Sequence, residues 1–461
     1  MGGGYTGAAA AVQLDNAADV AITIVDPQAE PGRGVAYATR DPDHRLNGPL
    51  DNHLLDPSRP EHLRDWCMRN GVLDRDPGAL AANGGIYLRR SDFGDYIAAT
   101  LAERTGRIRH ERAVATGLRA SGARLEVLTD DGCTIASDAV IVATGNGESN
   151  LPQVLREAAP HAALIENAFD AARMQAIPPD ARVLLVGSGL TALDAISTLL
   201  RRGHRAGLEV LSRHGIRPLG HRARLENASV TSLLARIEGE MPEYAQRALE
   251  RGSVLALSRE LRRRIDEATA RGGDWHVPFD ELRNAVWRFW PALDPREKRR
   301  FLRHLRGFYD AHRFRAPPQN EAMARAAERD GRLAFRAGRL RSVRALDDRT
   351  LRVAWREPAR QDRTRDFDAV INCTGLDPAM GATRNPFLLD LQGQGMVQRD
   401  ATGMGIAVDA QCRPIGRGGS ASPRLRVLGP PTAGALGDPL GVIFIAPQIR
   451  RMMPGLLETI R

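Results

Sequence analysis

Two short glycine-rich runs carry the chemistry that this chain declares most openly. Gly2, Gly4 and Gly7 satisfy G-x-G-x-x-G and lead into the alanine-rich run 8–14, which has the composition of a helix packed closely on a sheet. In such a loop the first glycine permits a tight turn and the second lets the backbone approach a pyrophosphate. The third allows close helix packing, and the helix N-terminus favours the anion. The apolar run 21–25 ends in Asp26, about 20 residues on, where a carboxylate accepts hydrogen bonds from an adenosine ribose. Gly2, Gly4, Gly7 and Asp26 are therefore expected to form a dinucleotide site.

A second loop repeats the pattern. The apolar run 182–186 enters Gly187, Ser188, Gly189, Leu190, Thr191 and Ala192, a G-x-G-x-x-A turn on a strand of the buried, parallel kind. Gly187, Gly189 and Thr191 are the expected contacts, and the run 208–211 closes a βαβ unit. No carboxylate follows that strand. Ser212 and Arg213 stand there instead, a hydroxyl and a planar donor fork suited to a 2′-phosphate, which favours NADPH over NADH. The alternative is a solvated arginine at a strand end.

Two strands end in near-identical turns, Ala143-Thr144-Gly145 and Cys373-Thr374-Gly375. Each is expected where the chain crosses between nucleotide domains, with Thr144, Gly145, Thr374 and Gly375 close to cofactor. The strand that should precede the first loop is not found ahead of Met1. The expectation is that several apolar residues belong upstream, and that a chain extended there binds its cofactor more tightly.

The elements that hold these loops need room, and 461 residues suit two or three domains. No apolar run approaches the roughly 20 residues that cross a bilayer, and no secretory signal opens the sequence, so a soluble, cytoplasmic protein is expected. Cys67, Cys133, Cys373 and Cys412 form no C-x-x-C pair, which argues against dithiol chemistry. The net charge of +9 comes from scattered arginines, Lys298 being the only lysine, and no nucleic-acid-reading motif accompanies it.

With these residues the chain resembles the bacterial FAD/NAD(P)-binding oxidoreductases over nearly its whole length. The motifs are Gly32-Arg33-Gly34-Val35-Ala36-Tyr37, His44-Arg45-Leu46-Asn47, the stretch 90–96, the Gly187 loop with Ser212 and Arg213, and Leu428-Gly429-Pro430-Pro431. It is more distantly similar to the flavin monooxygenases that hydroxylate the amines of lysine and ornithine. The Baeyer–Villiger marker F-x-G-x-x-x-H-x-x-x-W is absent, since the corresponding stretch reads Glu166-Asn167-Ala168-Phe169-Asp170. The resemblance implies FAD at the first loop and NADPH at the second, with Arg33, Asn47, Arg90, Val114, Asp438 and Leu440 among the cofactor contacts. Asn47 and His53 are the catalytic candidates near the flavin ring, against a reading as turn-forming polar residues.

The expected fold class is α/β: two Rossmann-like dinucleotide-binding domains with a helical insert. An FAD-binding domain covers 1–150 and 379–461, and an NADPH-binding domain covers 178–378. The arginine-rich insert 223–330 serves as substrate cap, anchored by Trp287, Phe289, Trp290, Phe301, Phe308 and Tyr309. His304 and His312 stand eight apart in one expected helix, a spacing that suggests no metal. Arg313 and Arg315, beside Pro317-Pro318, could hold a carboxylate or phosphate bidentately, and are read instead as solvated. The leading function is an NADPH-consuming, FAD-dependent monooxygenase that uses oxygen to N-hydroxylate a small polar amine. A flavin reductase or dehydrogenase without oxygenation and a non-catalytic redox sensor remain as alternatives.

Overall fold

The computed structural model describes residues 1–147, 151–225, 229–375, 384–437 and 440–460. Its clearest layer is a five-stranded, wholly parallel sheet. The order is Leu333–Ala337, Leu208–Ser212, Val183–Val186, Ala369–Asn372, Leu164–Ile165. Val183–Val186 lies in the middle and is buried at every position. Alternation sorts its side chains: Val183 and Leu185 pack with Leu193 and Ile196 of the helix Leu190–Arg201, while Leu184 and Val186 face Val353 and Trp355. Those last two belong to an antiparallel meander, Arg339–Asp347, Thr350–Arg356 and Asp362–Phe367.

The helix Pro318–Arg329, placed by sequence in the cap, packs on this sheet unit instead: Ala324 and Ala327 join Leu193 and Ile196 in one core. Leu164–Ile165 likewise enters this sheet although it precedes residue 178.

The N-terminal unit has the same plan with one difference. A meander of Ala115–Ser121, Arg124–Thr129 and Thr134–Ser137 again precedes the strand that ends in a small turn, Val140–Val142. Its parallel strands, however, form two separate pairs, Ile22–Val25 with Ile108–Glu111 and Val140–Val142 with Leu425–Val427. Met1 and Gly2 span the gap at one end. The Met1 amine donates to the Ile141 carbonyl at 2.9 Å, Ala143 N–H to Met1 at 2.8 Å, and Gly2 N–H to Val25 at 2.9 Å. Behind them a cavity of about 1460 Å³ runs between the pairs, lined by Ala10, Leu14, Ile22, Ile24, Ile141 and Leu456. The helix Tyr5–Ala17 covers one side, packed against the last helix, Val442–Ile460.

Seven helices between 230 and 313 make the cap, with their own core of Tyr244, Leu257, Leu282, Phe289 and Trp290. Trp290 ties the cap to the C-terminal segment, its indole N–H donating to Gly434 O at 2.9 Å. Phe308 is no anchor, being 46% exposed. His304 and His312 lie on successive helices, Pro295–His304 and Arg306–Arg313, rather than on one. Among the described residues no helix is long and apolar enough to cross a membrane.

Candidate functional site

Both glycine loops meet their small turns in the same way. Gly2 adopts φ +91°, and a Cβ there would strike the Ala143 carbonyl; a Cβ on Gly7 would strike Gly2 O. Gly187 adopts φ +106°, and a Cβ would strike Cys373 O. Only glycine tolerates both the conformation and the contact. The two halves thus lock each loop to its turn through one backbone crossing.

Above the loops there is space. A Cβ at Gly189, Gly145 (φ +73°) or Gly375 (φ +87°) meets nothing within 4 Å, and one at Gly4 reaches only Gly34 Cα at 3.4 Å. Gly4 and Gly189 are the residues preceding the helices Tyr5–Ala17 and Leu190–Arg201, and no side chain caps either. The first-turn N–H groups are therefore left for an anion. The Thr144 hydroxyl oxygen is buried without a hydrogen-bond partner. Thr374 donates its hydroxyl to Asn372 Oδ1 at 2.8 Å. Thr191 lies in the first turn of its helix. These features fit a dinucleotide pyrophosphate at each loop.

Asp26 follows its strand directly and accepts from Gly3 N–H at 2.7 Å and Gln28 N–H at 2.9 Å, which holds the carboxylate beside the first loop. Arg213 is exposed at the end of Leu208–Ser212, and Ser212 Oγ accepts from Gly215 N–H at 3.1 Å. Arg33 is tied to Asp95 at 2.6 Å and Glu30 at 3.3 Å. Val114 N–H donates to Asp130 Oδ1 and the Val114 carbonyl accepts from Asp130 N–H, both at 2.9 Å.

Arg90, expected at a cofactor, reaches the second unit. It pairs with Asp194 on the helix Leu190–Arg201 at 2.7 Å. Burial pushes the Asp194 carboxyl up, against the pull of Arg90 and His44. Around this pair His44 Nε2 lies 3.2 Å from Thr198 Oγ1, and Thr198 donates to Asp41 at 2.9 Å. Arg201 pairs with Asp41 at 3.1 Å and also with Asp43. This polar seam joins the two units.

Asn47, His53 and Leu440 line a second cavity, of about 450 Å³, between the first unit, the cap and the start of the last helix. Asp438 lies outside the described residues. Burial lowers the His53 pKa to about 4, while its Nδ1 bonds Pro49 O at 3.0 Å. A neutral ring must carry its proton on Nδ1 to make that bond, which leaves Nε2 an acceptor. His221, not singled out by sequence, lines the same space. Burial first and then the Arg315 charge lower its pKa to about 3, and Nε2 donates to Asn47 O at 2.8 Å.

Arg313 and Arg315 were expected in solvent, yet each is 7% exposed and faces this cavity together with Arg283 and Asp280. In so arginine-rich an insert, composition gives no signal that separates these three from their neighbours.

Residues 1–147 match the family described as FAD-NAD(P)-binding. That segment is an FAD-NAD(P)-binding domain. No curated protein matches the sequence. Among solved structures, L-lysine 6-monooxygenase from Pseudomonas syringae shares 16% identity at a TM-score of 0.67, covering 100% of this chain and 98% of that one. The ornithine hydroxylase of Pseudomonas aeruginosa shares 14% at 0.64, covering 100% and 98%. The cadaverine monooxygenase of Erwinia amylovora, whose structure contains FAD, shares 13% at 0.64, covering 99% and 92%. At these identities the likeness is one of fold, and it extends beyond the FAD-NAD(P)-binding domain across both nucleotide units and the cap.

Proposed function

We propose that this chain is an FAD-dependent, NADPH-consuming monooxygenase that N-hydroxylates a small amine. The observation that carries the reading is the repeated loop-and-turn crossing, Gly2 on Ala143 and Gly187 on Cys373, beside a cavity that the cap borders. Two such crossings suit two dinucleotides, and the cavity offers a place for a third molecule. The fold shared with the lysine, ornithine and cadaverine enzymes along the whole chain supports the choice of reaction.

In this reading the FAD domain spans 1–150 and 379–461, and the NADPH domain spans 178–378. Gly2, Gly4 and Gly7 carry the FAD pyrophosphate, Asp26 its ribose, and Thr144 and Gly145 border it. Gly187, Gly189 and Thr191 take the NADPH pyrophosphate, and Ser212 with Arg213 takes the 2′-phosphate. When bound and reduced, the flavin supplies the activation of oxygen. The protein supplies position and a dry pocket. Asn47 and His53 stand at the reacting end. Neutral His53 accepts at Nε2, so it can orient an amine N–H without protonating the nitrogen that must attack.

The test is product analysis of the FAD-loaded protein with NADPH, oxygen and a panel of small primary amines. Hydroxylamine formed nearly in step with NADPH consumed is the expected result. Peroxide as the sole product with every amine, together with rapid reduction of quinones or dyes, would replace this reading with a reductase.

A further inference from the structure

The cavity beside Asn47 and His53 has two chemically different ends. At one, neutral His53 and Asn47 line the space, neither carrying charge. At the other, among the described residues, Arg283 and Arg315 share one carboxylate. Asp280 on the helix His276–Asn284 is shared by two arginines: Arg283 Nη1 lies 3.2 Å from Oδ1, and Arg315 donates to both oxygens, to Oδ2 at 3.2 Å and to Oδ1 at 2.5 Å. Asp51, also on the lining, is already paired with Arg64, and Glu281 is exposed.

Arg283 is the least satisfied of the group. Its Nη2 donates to Asn284 Oδ1 at 3.2 Å, and its Nε is buried without a hydrogen bond. Burial first, and then Arg315 and Arg313, disfavour its charge; Asp280 opposes them. Phe444 supports the cation with its ring face, 5.9 Å from Arg283 Cζ and 5.1 Å from Arg313 Cζ. One carboxylate shared between two largely buried guanidiniums leaves a net positive charge in low-dielectric surroundings. A second carboxylate would relieve it.

We infer that this end of the cavity binds a carboxylate of the substrate through Arg283, with Arg313 beside it, so that the enzyme takes an amino acid-like amine rather than a diamine. The inference rests on the reading of this cavity as the substrate site. Arg283 is a binding residue here and Asp280 a positioning one: Asp280 fixes the guanidinium plane and leaves charge to spare.

The experiment uses the FAD-loaded protein without NADPH and reads the change in flavin absorbance and fluorescence on titration with matched pairs. L-lysine is set against cadaverine, and 6-aminohexanoate against pentylamine; each pair differs by the carboxylate. The acid member is expected to bind about 10-fold or more tightly in each pair. Arg283→Gln should erase that advantage and Arg283→Lys should retain part of it, with flavin content unchanged in both. Equal binding within the pairs, or no response to any acid member, overturns the inference in the wild-type protein, whatever the variants do. So does an advantage that survives Arg283→Gln, or a variant that loses flavin while keeping the wild-type ratios. Tight binding of the acid members with no hydroxylamine from any of them would sink the monooxygenase reading and leave the carboxylate site standing.

Discussion

The two nucleotide units share a plan but not a sheet. In the second, Val183–Val186 fills the middle of five parallel strands with four buried aliphatic side chains. In the first, between Ile22–Val25 and Val140–Val142 lies a cavity that Met1 and Gly2 bridge at one end. The glycine loop, the helix behind it and the small turn nevertheless take the same arrangement in both. In both, glycine conformation and the backbone crossing hold the loop, and in the second the central strand adds burial, roughly 1.5–3 kcal/mol for each aliphatic side chain removed from water.

That comparison can be broken most sharply by crowding each crossing in turn. Gly7→Val and Gly187→Val each drive a branched side chain into backbone, where neither neighbour can yield. The first is expected to empty the protein of FAD while NADP⁺ still binds, and the second to lose NADP⁺ while FAD stays, each by about 100-fold or more. Binding titrations of the two variants check this. Loss of both cofactors from either variant would mean the units do not act separately.

Acid should separate the units next. The folded-state pKa of His53 is lowered to about 4, and that of His221 to about 3. Groups held neutral by burial in this way add stability that is complete above their unfolded pKa, about 6.5, and that declines as pH falls toward the folded value. For His53 the loss reaches on the order of 3 kcal/mol near pH 4. FAD release followed against pH should begin below about pH 6.5, and His53→Gln should flatten the profile between pH 6 and 4, roughly. An unchanged profile in that variant would remove His53 from the account.

A smaller gain is expected from filling the gap. Joining five alternating aliphatic residues ahead of Met1 should extend the ladder that Met1 and Gly2 begin, tighten FAD about 10-fold and raise Tm by roughly 5 °C. Equilibrium dialysis and thermal melts measure both. The smallest change is Arg213→Ala, which should raise KM for NADPH about 10-fold and leave NADH nearly unaffected, the loss of one charge-assisted contact. Equal effects on both would reassign Arg213 to solvent.

Much of this architecture was legible because its determinants are local. The glycine spacings, the strand runs 21–25 and 182–186, Asp26 and the two small turns all lie within a few residues of the geometry they create. Long-range pairing was not legible. Nothing in the neighbourhood of Arg90 announces Asp194, 104 positions away, its ion-pair partner across the seam. Arg313 and Arg315 resembled every other arginine of the insert, and only the folded cap shows them buried against the cavity. The meanders are hidden in the sequence for a different reason: strands such as Asp362–Phe367 are largely exposed and charged, so their alternation carries little apolar signal.

The most direct test of two cooperating units is anaerobic mixing of the FAD-loaded protein with NADPH or NADH while flavin absorbance is followed. Bleaching is expected to be much faster with NADPH than with NADH and absent in Gly187→Val, which keeps its FAD. Flavin that NADPH fails to bleach in the wild-type protein, or that bleaches at the wild-type rate in Gly187→Val, would contradict it.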